Sequence, residues 1–163
     1  MNPPTSTAIF ASGCFWGTQY QLDQLPGVLR TTVGYTGGHV ANPTYRQVCN
    51  GDTGHVEAVE VEYDPAVITY EALARAFFET HDPTQVGGQG PDHGSQYLSK
   101  IFYANEEEKA IAERLIATLE AKGLKIATQL EPAGKFWPAE DYHQKYYETR
   151  GQTPYCHVYE KLF

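Results

Sequence analysis

Thr7-Ala8-Ile9-Phe10-Ala11-Ser12-Gly13-Cys14-Phe15-Trp16-Gly17 passes from an apolar run to a glycine-flanked cysteine and then to two aromatic residues. Residues 7–11 have the β-branched and aromatic character of a buried strand. Phe15, Trp16, Gln19, Tyr20, Leu22 and Leu25 suit a short helix that stops at Pro26-Gly27. Cys14 therefore falls at a strand-to-helix turn. There the unpaired N–H groups and the macrodipole of the helix N-terminus favour a thiolate. Gly13 and Gly17 leave the backbone bare on both sides, so another molecule can approach the sulfur. A cysteine near an apolar strand is more often an inert small hydrophobe. The glycines, the helix start and the aromatic pair turn the reading towards a nucleophile in an aromatic cup.

Outward from this stretch, Val28 to Tyr35 is rich in β-formers and reads as a strand. From Thr36 to Gly54 the signals are turn-like (Gly37-Gly38, Asn42-Pro43, Asn50-Gly51-Asp52), and so long a loop is usually functional. His55 to Tyr63 alternates. Glu57, Val59, Val61 and Tyr63 share the more apolar face, opposite Glu60 and Glu62. Glu57 is thus expected on the buried side of a strand, where desolvation raises a carboxyl pKa. A strand-end position or a slipped register would instead leave it in water.

Thr69 caps a helix whose Tyr70, Leu73, Ala74, Phe77 and Phe78 form one stripe. A glycine-rich loop, Thr84 to Ser95, leads to a strand expected over Gln96 to Tyr103. Asn105, with Glu108 at the capping-box position, starts a helix burying Ile111, Leu115, Ile116 and Leu119 and ending at Gly123. Lys125 to Glu131 reads as one more strand, and Pro138 is expected to open a short helix through Tyr147. Beyond it, residues 148–163 show no period, and a mobile tail is expected there. The expected fold class is α+β: a two-layer α/β sandwich, with a mixed or antiparallel sheet backed by two main helices and long loops at one edge.

Composition narrows the function. The 163 residues hold 20 acidic against 12 basic side chains, a net charge of −8, with no Lys/Arg cluster to grip a phosphate backbone. No apolar run has membrane-spanning length, and the first residues lack the pattern of a secretory signal. No nucleic-acid or membrane partner is expected, and the expected location is cytoplasmic. Three cysteines (Cys14, Cys49, Cys156) at irregular spacing are neither a disulfide framework nor a paired zinc motif. No repeat, low-complexity tract or linker divides the chain, so residues 1–163 are expected to be a single domain. Twelve tyrosines, seven phenylalanines and two tryptophans are enough to line a cleft as well as a core.

Gly13-Cys14-Phe15-Trp16-Gly17 closely resembles the active-site pentapeptide of the A-type peptide methionine sulfoxide reductases (MsrA). The likeness continues in Val33-Gly34-Tyr35-Thr36-Gly37-Gly38, Asn42-Pro43-Thr44-Tyr45 and Thr53-Gly54-His55-Val56-Glu57-Ala58-Val59. It resumes in His81-Asp82-Pro83-Thr84, Asp92-His93-Gly94-Ser95-Gln96-Tyr97 and Ala139-Glu140-Asp141-Tyr142-His143-Gln144, in the family's order and over nearly the whole chain. The resemblance implies reduction of methionine sulfoxide, S epimer at sulfur, by a monomer without metal or organic cofactor, recycled by thioredoxin or another dithiol. It makes Cys14 the nucleophile and Glu57 the acid at the sulfoxide oxygen. Tyr45 and Tyr97 supply hydroxyls to that oxygen. Asp92 helps hold the substrate, and Phe15 with Trp16 walls its methyl group. Cys156, in the tail, is the resolving cysteine, while Cys49 matches a position usually without an essential role. Leu98 and Pro91 depart from the family pattern and alter the rim of the pocket.

The residues alone leave other readings open. A cysteine hydrolase or transferase would need a histidine base, and none lies in the Cys14 block. A metal module could recruit Cys156 and His157 with Cys14, though without the spacing of a metal motif. A binder of apolar peptides would use the aromatic cup and leave Glu57 unexplained.

Overall fold

In a computed structural model, residues 5–50, 53–89, 92–144 and 162 are described, without the side chains of residues 92, 93, 95 and 142. Among the described residues eight strands run through Ser6–Ser12 (β1), Val28–Thr36 (β2), Val56–Tyr63 (β3), Gly88–Gln89 (β4), Asp92–His93 (β5), Ser99–Tyr103 (β6), Gln129–Pro132 (β7) and Trp137–Pro138 (β8). The α-helices are Phe15–Asp23 (α1), Tyr45–Cys49 (α2), Tyr70–Glu79 (α3) and Glu106–Ala121 (α4). Six strands form one sheet in the order β7-β6-β1-β3-β2-β8, and β4 pairs with β5 in a separate hairpin. Within the sheet β6 and β7 run parallel and the other neighbours antiparallel. The α+β class matches the sequence reading, and of the two sheets it left open, mixed or antiparallel, the mixed one forms.

Register follows burial. Glu57, Val59, Val61 and Tyr63 on β3 all lie on the core face, with Glu57 only 1% exposed. Across β2, Tyr35 stands opposite Glu57 and Val33 opposite Val59. Over this face pack Phe15 and Leu22 of α1, Leu73, Phe77 and Phe78 of α3, and Leu115 and Leu119 of α4. Thus α1 joins the two long helices as a third cover. The opposite face carries a smaller cluster, with Ile9, Ala11, Val56, Ala58 and Phe102 under Leu98 and Phe136.

The caps read from sequence form. The Thr69 side chain accepts from Ala72 N–H at 3.1 Å, and Asn105 accepts from Glu108 N–H at 2.9 Å. Glu108 reaches back to Ala104 N–H rather than to the N-cap, at 2.9 Å. Other expectations need correction. Pro138 opens no α-helix among the described residues: it ends β8, which pairs with Gly34 and Tyr35 of β2 and is followed by a 3-10 turn, Asp141–His143, while residues 145–147 of the expected helix lie outside them. Gly34 leaves room for that pairing, because a Cβ there would stand 2.4 Å from the Trp137 carbonyl. Residues 95–97 form a 3-10 turn before β6 begins at Ser99. The long loop after β2 contains α2, closed by a capping box between Thr44 and Gln47.

Candidate active site

Cys14 is the N-cap residue of α1, with extended backbone angles (φ −60°, ψ 119°), and its carbonyl accepts the first helical N–H bonds, from Gly17 and Thr18. Gly13 makes the turn. Its φ of +89° belongs to the left-handed side, and a Cβ there would lie 2.5 Å from Cβ of Gln89. The β4–β5 hairpin therefore packs against the residue before the cysteine. Gln89 holds this contact, its side chain accepting from Asp82 N–H at 2.6 Å and donating to the Asp82 carbonyl at 2.8 Å.

Glu57 meets the same turn from the sheet. Phe15 N–H, one residue past Cys14, donates to its Oε1 at 3.2 Å. A carboxyl on the buried face of β3 is thus tied to the backbone that carries the thiol. Tyr45 opens α2, and its ring lies 6.2 Å from that of Phe15 and 6.3 Å from that of Trp16. Burial, first of all, pushes the Tyr45 phenol above its ordinary range, so the hydroxyl stays a proton donor at neutral pH. Tyr97 ends the 3-10 turn that lies against β3, within electrostatic reach of Tyr45. Asp92 begins β5 opposite Gln89, and its side chain lies outside the description. Cys156 and the rest of 145–161 lie outside the described residues.

His143 and Glu140 come into this cluster without having been singled out from the sequence, and Cys49 joins them. His143 is fully buried, its ring 4.3 Å from that of Tyr45, 5.2 Å from Phe15 and 5.6 Å from Trp16. The Trp16 indole N–H donates to its Nδ1 at 2.9 Å. Indole only donates, so that ring nitrogen carries no proton. Glu140, one 3-10 turn earlier, accepts from the Tyr35 hydroxyl at 2.9 Å and from Tyr45 N–H at 3.2 Å. Burial opposes its charge, but the bond from its own backbone N–H, followed by those from Tyr35 and Tyr45, prevails and holds the carboxyl below its ordinary pKa. Cys49 lies one helical turn after Tyr45, and the two side chains influence each other's pKa. Burial, chiefly, raises the Cys49 thiol pKa, against the opposite pull of the Tyr45 phenol. The Thr44-x-x-Gln47 capping signature would have revealed α2 and so this pairing. Nothing local could have joined His143 to Trp16 across 127 residues.

The family model of the peptide methionine sulfoxide reductases matches residues 6–162. The chain belongs to this family. A curated relative from Chromobacterium violaceum, peptide methionine sulfoxide reductase MsrA, is 50% identical over 154 residues, covering 93% of this chain and 88% of that one. Among solved structures, reduced Mxr1 of Saccharomyces cerevisiae superimposes with a TM-score of 0.88 at 35% identity, covering 96% and 92% of the two chains. The same yeast protein in complex with Trx2 matches at a TM-score of 0.65 and 25% identity, over 98% and 95%. Membership makes the chain an enzyme, an oxidoreductase of the methionine sulfoxide reductase type. Among the described residues no group of three or more His, Cys, Asp or Glu is placed to hold a metal, and no helix is long and apolar enough to cross a membrane.

Proposed function

We propose that the chain reduces methionine sulfoxide of S configuration, free or in proteins, with Cys14 as nucleophile and Glu57 as acid. The observation that carries this reading is the bond from Phe15 N–H to Glu57. It brings a buried carboxyl to the helix turn that holds the thiol. A protonated carboxyl at this place can give its proton to a basic oxygen. The Cys14 thiolate attacks the sulfoxide sulfur while Glu57 protonates the oxygen, and Tyr45 and Tyr97 hydrogen-bond to it. Phe15 and Trp16 form the wall for the substrate methyl, and Asp92 helps hold the substrate.

In this reading an S–S bond forms between Cys14 and the substrate sulfur, the protonated oxygen passes from that sulfur to Cys14 Sγ, and the S–S bond then breaks with its electron pair leaving on methionine. Cys14 is left as a sulfenic acid and Glu57 as a carboxylate, so the sulfoxide is reduced and the cysteine oxidised. Cys156 condenses with the sulfenic acid, water leaves, and a Cys14–Cys156 disulfide remains. A thioredoxin dithiol then takes over the disulfide by exchange, in keeping with the yeast relative solved with Trx2. Residues 1–163 act as one monomeric catalytic unit in the cytoplasm, and no prosthetic group takes part.

The test is a single-turnover reaction with an S-sulfoxide peptide and no reductant, followed by peptide mass mapping. About one methionine per enzyme and a Cys14–Cys156 disulfide are expected. Absence of methionine would overturn the reading, and a bridge to Cys49 would overturn the recycling step.

A further inference from the structure

We propose that Glu140 is a positioning residue for the reduction and acts through Tyr45. Its carboxylate clamps the start of α2 to β2 and so sets the Tyr45 phenol against the aromatic wall. This rests on the function proposed above.

Glu140 stands on a rigid platform. Pro138 pairs with Gly34, and Ala139 N–H donates to the Val33 carbonyl at 2.9 Å. On the far side Gln144 accepts from Val33 N–H and donates to its carbonyl, both at 3.0 Å. The short strap from Trp137 to Gln144 is therefore stitched to β2 at both ends, with Glu140 between.

From that platform the carboxylate reaches two donors on different elements. The Tyr35 hydroxyl belongs to a fully buried ring of β2 that packs 5.7 Å from Phe15 and stands opposite Glu57 in the sheet. The other donor is the backbone N–H of Tyr45 itself, at the first position of a helix only five residues long. Hydrogen bonds to an ionised acceptor are the stronger kind. α2 rests besides on its own capping box, on buried Val48, on a 3.4 Å bond from Gln96 to the Cys49 carbonyl, and on the Tyr45 ring packed beside Phe15, Trp16 and His143. A hydroxyl that must meet a developing charge works only when its backbone is held, and misplacement by about 1 Å can cost about 100-fold. In this scheme Glu140 acts on Tyr45 rather than on the thiol or on Glu57. Its effect on the chemistry passes through the place of one phenol.

A kinetic double-mutant cycle tests this, read as single-turnover methionine formation on an S-sulfoxide peptide. Glu140→Ala should slow the step by about 10- to 100-fold. In a Tyr45→Phe background, which has no phenol to place, the same change should cost under about 3-fold. Glu140→Gln should recover most of the rate, because its amide oxygen can accept from Tyr45 N–H while its NH₂ donates to the Tyr35 hydroxyl. If Glu140→Ala does not fold, as judged by circular dichroism, Tyr35→Phe removes one arm of the clamp and enters the same cycle. Equal factors in both backgrounds, a Glu140→Ala rate equal to wild type, or a Tyr45→Phe rate equal to wild type would each overturn the proposal. No methionine from the wild-type enzyme would instead refute the reductase reading. An active wild type with an additive cycle refutes only the role of Glu140.

Discussion

Replacing Glu57 by two different residues separates its chemistry from its structural work. The side chain is 1% exposed and accepts Phe15 N–H at 3.2 Å. Glu57→Ala removes that acceptor and leaves a buried donor unsatisfied, at a cost of about 1–3 kcal/mol. For a chain of this size about 1 kcal/mol moves Tm by about 2–4 °C, so the alanine variant should melt about 2–12 °C lower. Glu57→Gln offers an amide oxygen to the same N–H, and its Tm should stay within about 2 °C of wild type. The kinetics should not follow this order. Neither alanine nor glutamine can deliver a proton, and general acid catalysis is typically worth about 10²–10⁴-fold, or about 2.7–5.4 kcal/mol of barrier. Both variants should therefore form methionine slowly in a single turnover, although only one is destabilised. Calorimetry and rapid-quench detection of methionine measure the two effects. A glutamine variant as fast as wild type would refute proton delivery by Glu57 and reduce it to a support for the α1 turn.

Cys14→Ser should form no methionine while keeping the circular dichroism of wild type, and measurable turnover would sink the nucleophile assignment. Cys156→Ser should release about one methionine per enzyme and then stall with thioredoxin, because a sulfenic acid alone offers no disulfide to exchange. Cys49→Ser should turn over close to wild type, since a hydroxyl can still meet Tyr45, and counting methionine with and without thioredoxin checks both variants. Gly13→Ala should lower Tm by about 2–12 °C, from about 1–3 kcal/mol of backbone strain at positive φ. It should also slow methionine formation, because the new Cβ pushes Gln89 away from the residue before Cys14. An unchanged Tm would show that the hairpin does not press on this turn.

What the sequence determined by itself lies within a few residues of its signal. The alternation from Glu57 to Tyr63 told which face of β3 is buried, because side chains change sides at every step. The stripe from Tyr70 to Phe78 and the side chains of Thr69 and Asn105 told where α3 and α4 begin, because caps bond within three residues. The glycine before Cys14 and the aromatic pair after it marked the turn in the same way. Where a signal was competed with, the reading failed. Proline at 138 suits a helix start, yet its place beside bare Gly34 makes it the end of an edge strand. The parallel pairing of β7 on β6 could not be told from Gln129–Pro132 alone. The surroundings of Cys14 belong wholly to tertiary structure. Sheet order sets Tyr35 opposite Glu57, and the strap on β2 carries Glu140 to Tyr45 and His143 to Trp16 over 95 and 127 residues. No local periodicity encodes such meetings, because the free energy that makes them comes from burying the whole apolar face at once.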